Sequence, residues 1–191
     1  MLSPSGIVTF TTDFGYQDQY LGEMKGACLC VNPKATLVDL NHDIPAFDVR
    51  AGAIAVANSF SFFPEGTVHV VMVDPGAGGD RKIICAQTEK YFFIAPDNGI
   101  LSLALSHERI VNLVEVSNAK YFKNKFYSRT FQGRGVVAPV AGQLTLGTAV
   151  DEFGPALQEM VTLDVEFASL TGVDAGAPKI EGKIISVDGF G

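Results

Sequence analysis

Two carboxylates stand just beyond an apolar run near the start of the chain. Residues 7–10 read Ile-Val-Thr-Phe, Thr11-Thr12-Asp13-Phe14-Gly15 follow, then Asp18, and a helical pattern opens at Tyr20. An ionised carboxylate only accepts hydrogen bonds, and it can take two from a vicinal diol such as that of a ribose. Small molecules bind open α/β sheets outside the carboxyl ends of the strands. Asp13 and Asp18 are therefore candidates for a sugar-binding edge. Asp is also a favoured helix N-cap, and either residue could serve that purpose instead.

The loop Asp74-Pro75-Gly76-Ala77-Gly78-Gly79-Asp80-Arg81 follows another apolar run. Its glycines let a backbone approach a ligand closely. Asp74 and Arg81 can pair across it and hold a water, or can form a plain surface ion pair of little worth. No Gly-Lys-Ser/Thr follows and no helix opens there, so the loop makes a poor phosphate cradle. His42, in Asn41-His42-Asp43, fits a structural hydrogen bond better than direct catalysis. Asp97 and Asn98 in Pro96-Asp97-Asn98-Gly99 are explained by turn chemistry, with ligand contact the alternative. Residues 126–135, Phe-Tyr-Ser-Arg-Thr-Phe-Gln-Gly-Arg-Gly, precede a helical pattern and can turn backbone N–H groups toward a ligand. The same stretch also reads as a loop whose aromatics cap the core.

The elements that must position these groups alternate. Strand patterns cover 7–10, 36–40, 67–73 and 109–116, and 82–87 with 91–95 reads as a hairpin. Helical patterns cover Tyr20–Val31, 47–60, a short stretch ending near Leu105, and 134–146, where Pro139 is expected to introduce a kink. The expected class is α/β, a layered, mostly parallel sheet. After about Asp151 the helix signals vanish, 172–178 reads as a linker, and 179–187 reads as a strand without an obvious partner.

The chain has 191 residues, 47% of them hydrophobic, with a formal net charge of -7. Mean hydropathy is +0.23 and the pI about 4.9. That length supports one sizeable core. The lack of a basic face argues against nucleic acid and anionic membrane. There is no transmembrane run and no signal peptide, so a soluble cytoplasmic protein is expected. Cys28, Cys30 and Cys85 form no metal-like pair, and buried free thiols are the expectation. With three histidines and no ligand triplet, no metal site is expected.

The segments TTDFGYQDQYLGEMKG, VDLNHDI, VDPGAGGDRK, APDNGILS, TFQGRGVVAPVAGQL and ISVDGFG occur in this order along the chain. In that order they resemble the S-adenosylmethionine (SAM) hydroxide adenosyltransferases, or SAM hydrolases, relatives of the fluorinating and chlorinating SAM enzymes. The resemblance runs over nearly the whole chain. It implies an N-terminal α/β domain, here residues 1–170, followed by a β-barrel-like domain of which 171–191 would be the linker and first strand. It implies homotrimers, with each site between one subunit's N-terminal domain and a neighbour's C-terminal domain. The implied reaction is attack of water or hydroxide on the ribose C5′ of SAM, giving adenosine and methionine, with SAM as substrate and no cofactor.

The same resemblance implies that Asp13 holds the ribose diol, with Asp18 and Tyr20 in the pocket. It assigns water positioning to Asp74 and Arg81, substrate contacts to Phe131 and Gly133, and a methionine contact to Asp188. Physical chemistry favours hydrolysis over halogenation. The sulfonium is already a good leaving group, so orienting and desolvating the nucleophile is the main task. A carboxylate such as Asp74 can take a proton from water but repels a halide. The halogenating relatives lack this Asp–Arg pair, and the fluorinating ones carry an insertion before the APDNG turn that is missing here. Two features depart from the family. Gln132 stands where a catalytic histidine is expected, with Gly135 in place of an acid, and Gln cannot take a proton at neutral pH. The chain also stops within the motif that opens the second domain, so as given it is expected to bind SAM weakly. A non-catalytic adenosine- or SAM-binding protein is the alternative reading, and a halogenase a more remote one.

Overall fold

The computed structural model describes residues 2–124, 128–164, 168–171, 178–185, 187 and 190. The elements are β1 (Ile7–Thr12), α1 (Tyr20–Val31), β2 (Thr36–Asn41), α2 (Val49–Ala57), β3 (Val68–Met72), β4 (Ile83–Thr88), β5 (Phe92–Pro96), α3 (Ser102–Leu105), β6 (Ile110–Glu115), α4 (Ala138–Thr145), β7 (Ser169–Thr171) and β8 (Lys179–Glu181). β1 to β6 form one sheet in the order β2-β1-β3-β5-β4-β6. β1 runs parallel to β2 and β3, and β3 parallel to β5, while β4 runs antiparallel to both its neighbours. The α/β class and the hairpin expected over 82–95 are both present.

The central strands are buried on both faces because helices cover both faces. Period-two alternation divides their side chains between two cores. Val68, Val70 and Met72 of β3 join Val8 and Phe10 in one core, against α1 and α4. Val71 and Val73 face the other core, against α2 and α3. Gly142 lets α4 sit close on α1, since a Cβ there would lie 2.8 Å from the Cβ of Val31 and 2.9 Å from the carbonyl oxygen of Cys28.

From β1 the chain moves through α1 to β2 on one side, then returns through α2 to β3 on the other. The two crossovers lie on opposite faces, and a crevice opens where the strand order reverses. That crevice lies at the carboxyl ends of β1 and β3, where Thr12 pairs with Met72.

Several expectations are corrected. α2 begins at Val49 rather than 47, because Asp48 is its cap and accepts the Ala51 N–H at 2.9 Å. The helix expected over 134–146 is a π-helical turn, Gly133–Val137, leading into α4. Pro139 therefore sits in the first turn of α4, where a missing N–H is tolerated, and the backbone adjusts by widening before it. The strand expected over 179–187 is confined to Lys179–Glu181 and does have a partner, pairing antiparallel with Ser169–Thr171. This two-stranded sheet is what the described residues beyond 168 form, short of a barrel. Cys28 and Cys85 are buried, but Cys30 is exposed. Among the described residues no helix is long and apolar enough to cross a membrane.

Candidate active site

β1 delivers Asp13 to the crevice and β3 delivers Asp74. Neither Asp13 nor Asp18 caps α1. Its N-cap is Gln19, without a side-chain cap bond. Asp13 instead accepts the Phe47 N–H at 2.8 Å through Oδ2. Burial lifts the Asp13 carboxyl above its ordinary value, the N–H groups of Phe47 and of Asp13 itself oppose the rise, and the charge of Asp74 adds to it.

The turn carrying Asp13 is fastened from behind. Thr12 Oγ1 lies 2.9 Å from His42 Nδ1 and accepts the Phe14 N–H at 3.2 Å, while the Gly15 N–H donates to the His42 carbonyl at 2.9 Å. His42 Nε2 lies 3.0 Å from Asp39 Oδ1, and Lys25 donates to Asp39 Oδ2 at 2.6 Å. Partial burial works against the Asp39 charge, but the Lys25 and His42 contacts outweigh it and hold the carboxyl below its usual value. His42 thus has the structural place its sequence context favoured.

Asp74 is gripped by Arg81. The guanidinium Nε donates to Oδ1 at 3.0 Å and to Oδ2 at 2.8 Å, and Nη2 donates to Oδ2 as well. The Gly76 N–H adds a bond to Oδ1 at 3.2 Å. Arg81 Nη1 donates to Gln132 Oε1, so Gln132, Arg81 and Asp74 form one chain of contacts. Side-chain exposure is 5% for Asp74 and 11% for Arg81, which removes this pair from the class of weak surface bridges.

A cleft of about 290 Å³ joins the carboxylates, lined by Asp13, Asp18, Asp74, Phe14, Tyr20, Met24, Phe47, Phe131, Gly133 and Arg134 among others. Tyr20 and Phe131 stack with ring centres 5.8 Å apart. The Arg134 guanidinium lies 4.2 Å over the Phe131 ring and pairs with Glu23. Gly133 lets the π-helical turn approach α1, since a Cβ there would meet Met24 Sδ at 2.8 Å. The cleft offers acceptors for hydroxyls, flat apolar faces for a ring system, and a net-negative lining suited to a cation.

Six of the residues singled out from sequence thus share one cleft: Asp13, Asp18, Tyr20, Asp74, Phe131 and Gly133. Arg81 and Gln132 instead line a separate polar cleft of about 130 Å³ and reach the first through Asp74. Asp97 and Asn98 serve the fold, accepting from the Val161 N–H at 2.8 Å and donating to the Val73 carbonyl at 2.9 Å. Asp188, and Phe126 and Tyr127, lie outside the described residues. Among the described residues no group of three or more His, Cys, Asp or Glu is placed to hold a metal ion. Sequence reasoning missed Phe47 and Arg134. Arg134 had a signal in its place beside Phe131, while Phe47 was hidden inside an expected helix.

A switch-point cleft lined by three carboxylates and two stacked aromatic rings places the chain among the α/β proteins whose crevice lies at the carboxyl ends of parallel strands. Residues 8–154 match the SAM hydroxide adenosyltransferase N-terminal domain, and the chain belongs to that family. It is 34% identical over 163 residues to an (R)-S-adenosyl-L-methionine hydrolase of Methanocaldococcus jannaschii, covering 83% of this chain and 59% of that protein. A hydrolase of the same name from Salinispora tropica is 32% identical over 195 residues, covering 100% of this chain and 71% of that one. A fluorinase of an Actinoplanes species is more distant, 28% identical over 176 residues, covering 80% of this chain and 59% of that protein. The crystal structure of an uncharacterized conserved protein from Thermotoga maritima superposes with a TM-score of 0.89 at 31% identity, covering 96% of this chain and 69% of that one.

Proposed function

We propose that this chain belongs to an enzyme that hydrolyses SAM to adenosine and methionine. The observation that carries the reading is the buried Asp74, locked by Arg81 at the end of β3 and facing the same cleft as Asp13 at the end of β1. Asp13 accepts the ribose diol, with Asp18 nearby in the same pocket. The stacked Tyr20 and Phe131 offer a flat wall to the substrate, with Gly133 beneath. Asp74 orients a water against C5′. As the C5′–O bond forms, the C5′–S bond breaks, its electron pair stays on sulfur as methionine, and the water's proton passes to Asp74 and then to solvent. Arg81 and Gln132 fix Asp74 rather than touch the reacting atoms. The names of the hydrolase relatives support this reading over halogenation, as does the repulsion a buried carboxylate exerts on a halide.

The family's pattern further supports residues 1–170 as the nucleoside-binding domain and 171–191 as the opening of a barrel-like second one. It also supports a cytoplasmic homotrimer with sites shared between subunits. Light scattering on the purified protein tests the trimer. The direct test of the activity is SAM supplied to the protein, with adenosine and methionine assayed; folded protein without product overturns it. The bond from Arg81 to the Gln132 oxygen favours weighing a second reading, a binding protein without turnover, because an amide takes no proton. Gln132→His separates the two. A gain of about 10²-fold or more from a negligible rate would mark a decayed site, and little change from a measurable rate would mark Gln132 as a sufficient orienting group.

A further inference from the structure

Phe47 is the one non-glycine residue with a left-handed backbone among the described residues, at φ +66°. The residue is also 65% exposed. Bulky residues rarely adopt this conformation, and such strain persists only where the surroundings impose it, most often beside functional sites. Here the surroundings are explicit. The Asp48 N–H donates to the Pro45 carbonyl at 2.9 Å and the Val49 N–H to the Phe47 carbonyl at 3.1 Å. Asp48 then caps α2. Between them, residue 47 is turned so that its N–H points at Asp13 Oδ2, 2.8 Å away.

We propose that Phe47 is a positioning residue whose strained main chain, rather than its ring, orients Asp13 for a ligand diol. An extended or helical backbone at 47 would swing the N–H off Oδ2. Asp13 would then be free to rotate, and a diol would have to order it on binding. The ligand part of this inference rests on the proposed nucleoside site, whereas the link between residue 47 and the Asp13 carboxyl stands without it.

Two variants separate backbone from ring: Phe47→Gly and Phe47→Val. Both lack the aromatic ring. Glycine adopts φ +66° freely, while the β-branched valine resists it most. Adenosine affinity, read by calorimetry, is expected to be about tenfold or more weaker for Phe47→Val than for Phe47→Gly, an order opposite to apolar size. Affinity following size, with Val equal to or tighter than Gly, overturns the proposal. The second readout needs no ligand. Carbon-13 NMR titration of the Asp13 carboxyl, which shares its cleft with Asp18, Asp74 and Arg134, is expected to give a higher midpoint in Phe47→Val than in Phe47→Gly, because the lost N–H bond favoured the charged form. Equal midpoints overturn the proposal. If the unaltered protein does not bind adenosine, the nucleoside reading falls while this titration still decides the role of residue 47.

Discussion

β1 and β3 carry polar residues at two levels, and the two levels behave oppositely. In mid-strand, Thr9 pairs in register with His69, and Thr9 Oγ1 lies 2.8 Å from His69 Nδ1. Phe60, Phe63, Tyr91 and Phe93 enclose that imidazole, and its Nε2 has no hydrogen-bond partner among the described residues. Burial drives the His69 pKa down to about 3 and keeps the ring neutral. At the carboxyl ends of the same strands, Asp13 and Asp74 face a cleft, one half-buried and the other gripped by a guanidinium. The mid-strand pair is sealed and inert. The strand-end pair opens to a cleft, and the cost is two carboxylates that repel each other. Depth along one pair of strands separates polar groups sealed in the core from polar groups that open to a cleft.

The largest expected effect comes from breaking the strand-end level. Asp74→Asn should lower adenosine release from SAM by about 10²–10⁴-fold. Asp74→Ala, which leaves the Arg81 charge buried without its carboxylate, should cost about 3–5 kcal/mol in denaturant unfolding.

Breaking the mid-strand level should leave activity alone and change acid tolerance. His69 is neutral in the fold down to about pH 3, while in the unfolded chain it binds a proton below its ordinary value of 6.5. Its depressed pKa therefore erodes stability as pH falls from about 6.5 toward 3, and has no effect above that window. At pH 5 the loss is roughly 2 kcal/mol. His69→Leu should recover most of that margin, read as an acid-unfolding midpoint moved to lower pH. An unchanged midpoint would mean the ring is not sealed.

The smallest effect sharpens the contrast by sign. The Asp13 carboxyl sits above its ordinary value, so the fold favours its protonated form and its ionised form is a burden near neutral pH. Asp13→Asn should leave the melting temperature at pH 7 equal or slightly higher while removing adenosine binding. A clear loss of stability would mean the Phe47 bond outweighs the burial.

Much of this was legible because parallel strands place their ends predictably. The apolar run before Asp13, the run before Asp74 and the alternating pattern between them led to the right edge of the right kind of sheet. What was not legible depended on contacts remote in sequence. Arg81 and Gln132 are joined only by folding, so nothing local showed that both sit behind Asp74 rather than in the cleft. Phe47 reads as the start of an Ala-rich helical pattern; the capping preference of Asp48 is the available signal against that, and it marks the start at Val49. The π-helical turn answers to the approach of Gly133 to Met24 as well as to Pro139, and periodicity carries no record of the former.

The loop from Asp74 to Arg81 leaves the sheet at β3 and rejoins it at β4, with β5 lying between them in the strand order. β4 is buried along its length and paired on both sides, with Ile83 opposite Pro96 and Ile84 opposite Glu115. A slip of one residue in β4 would turn every one of its side chains to the wrong face. The sheet thus works as an indexing device. The register of a strand with no role in chemistry sets where one guanidinium lands, and substitutions at Cys85 or Ala86 that strain that register would be felt as misalignment at Asp74.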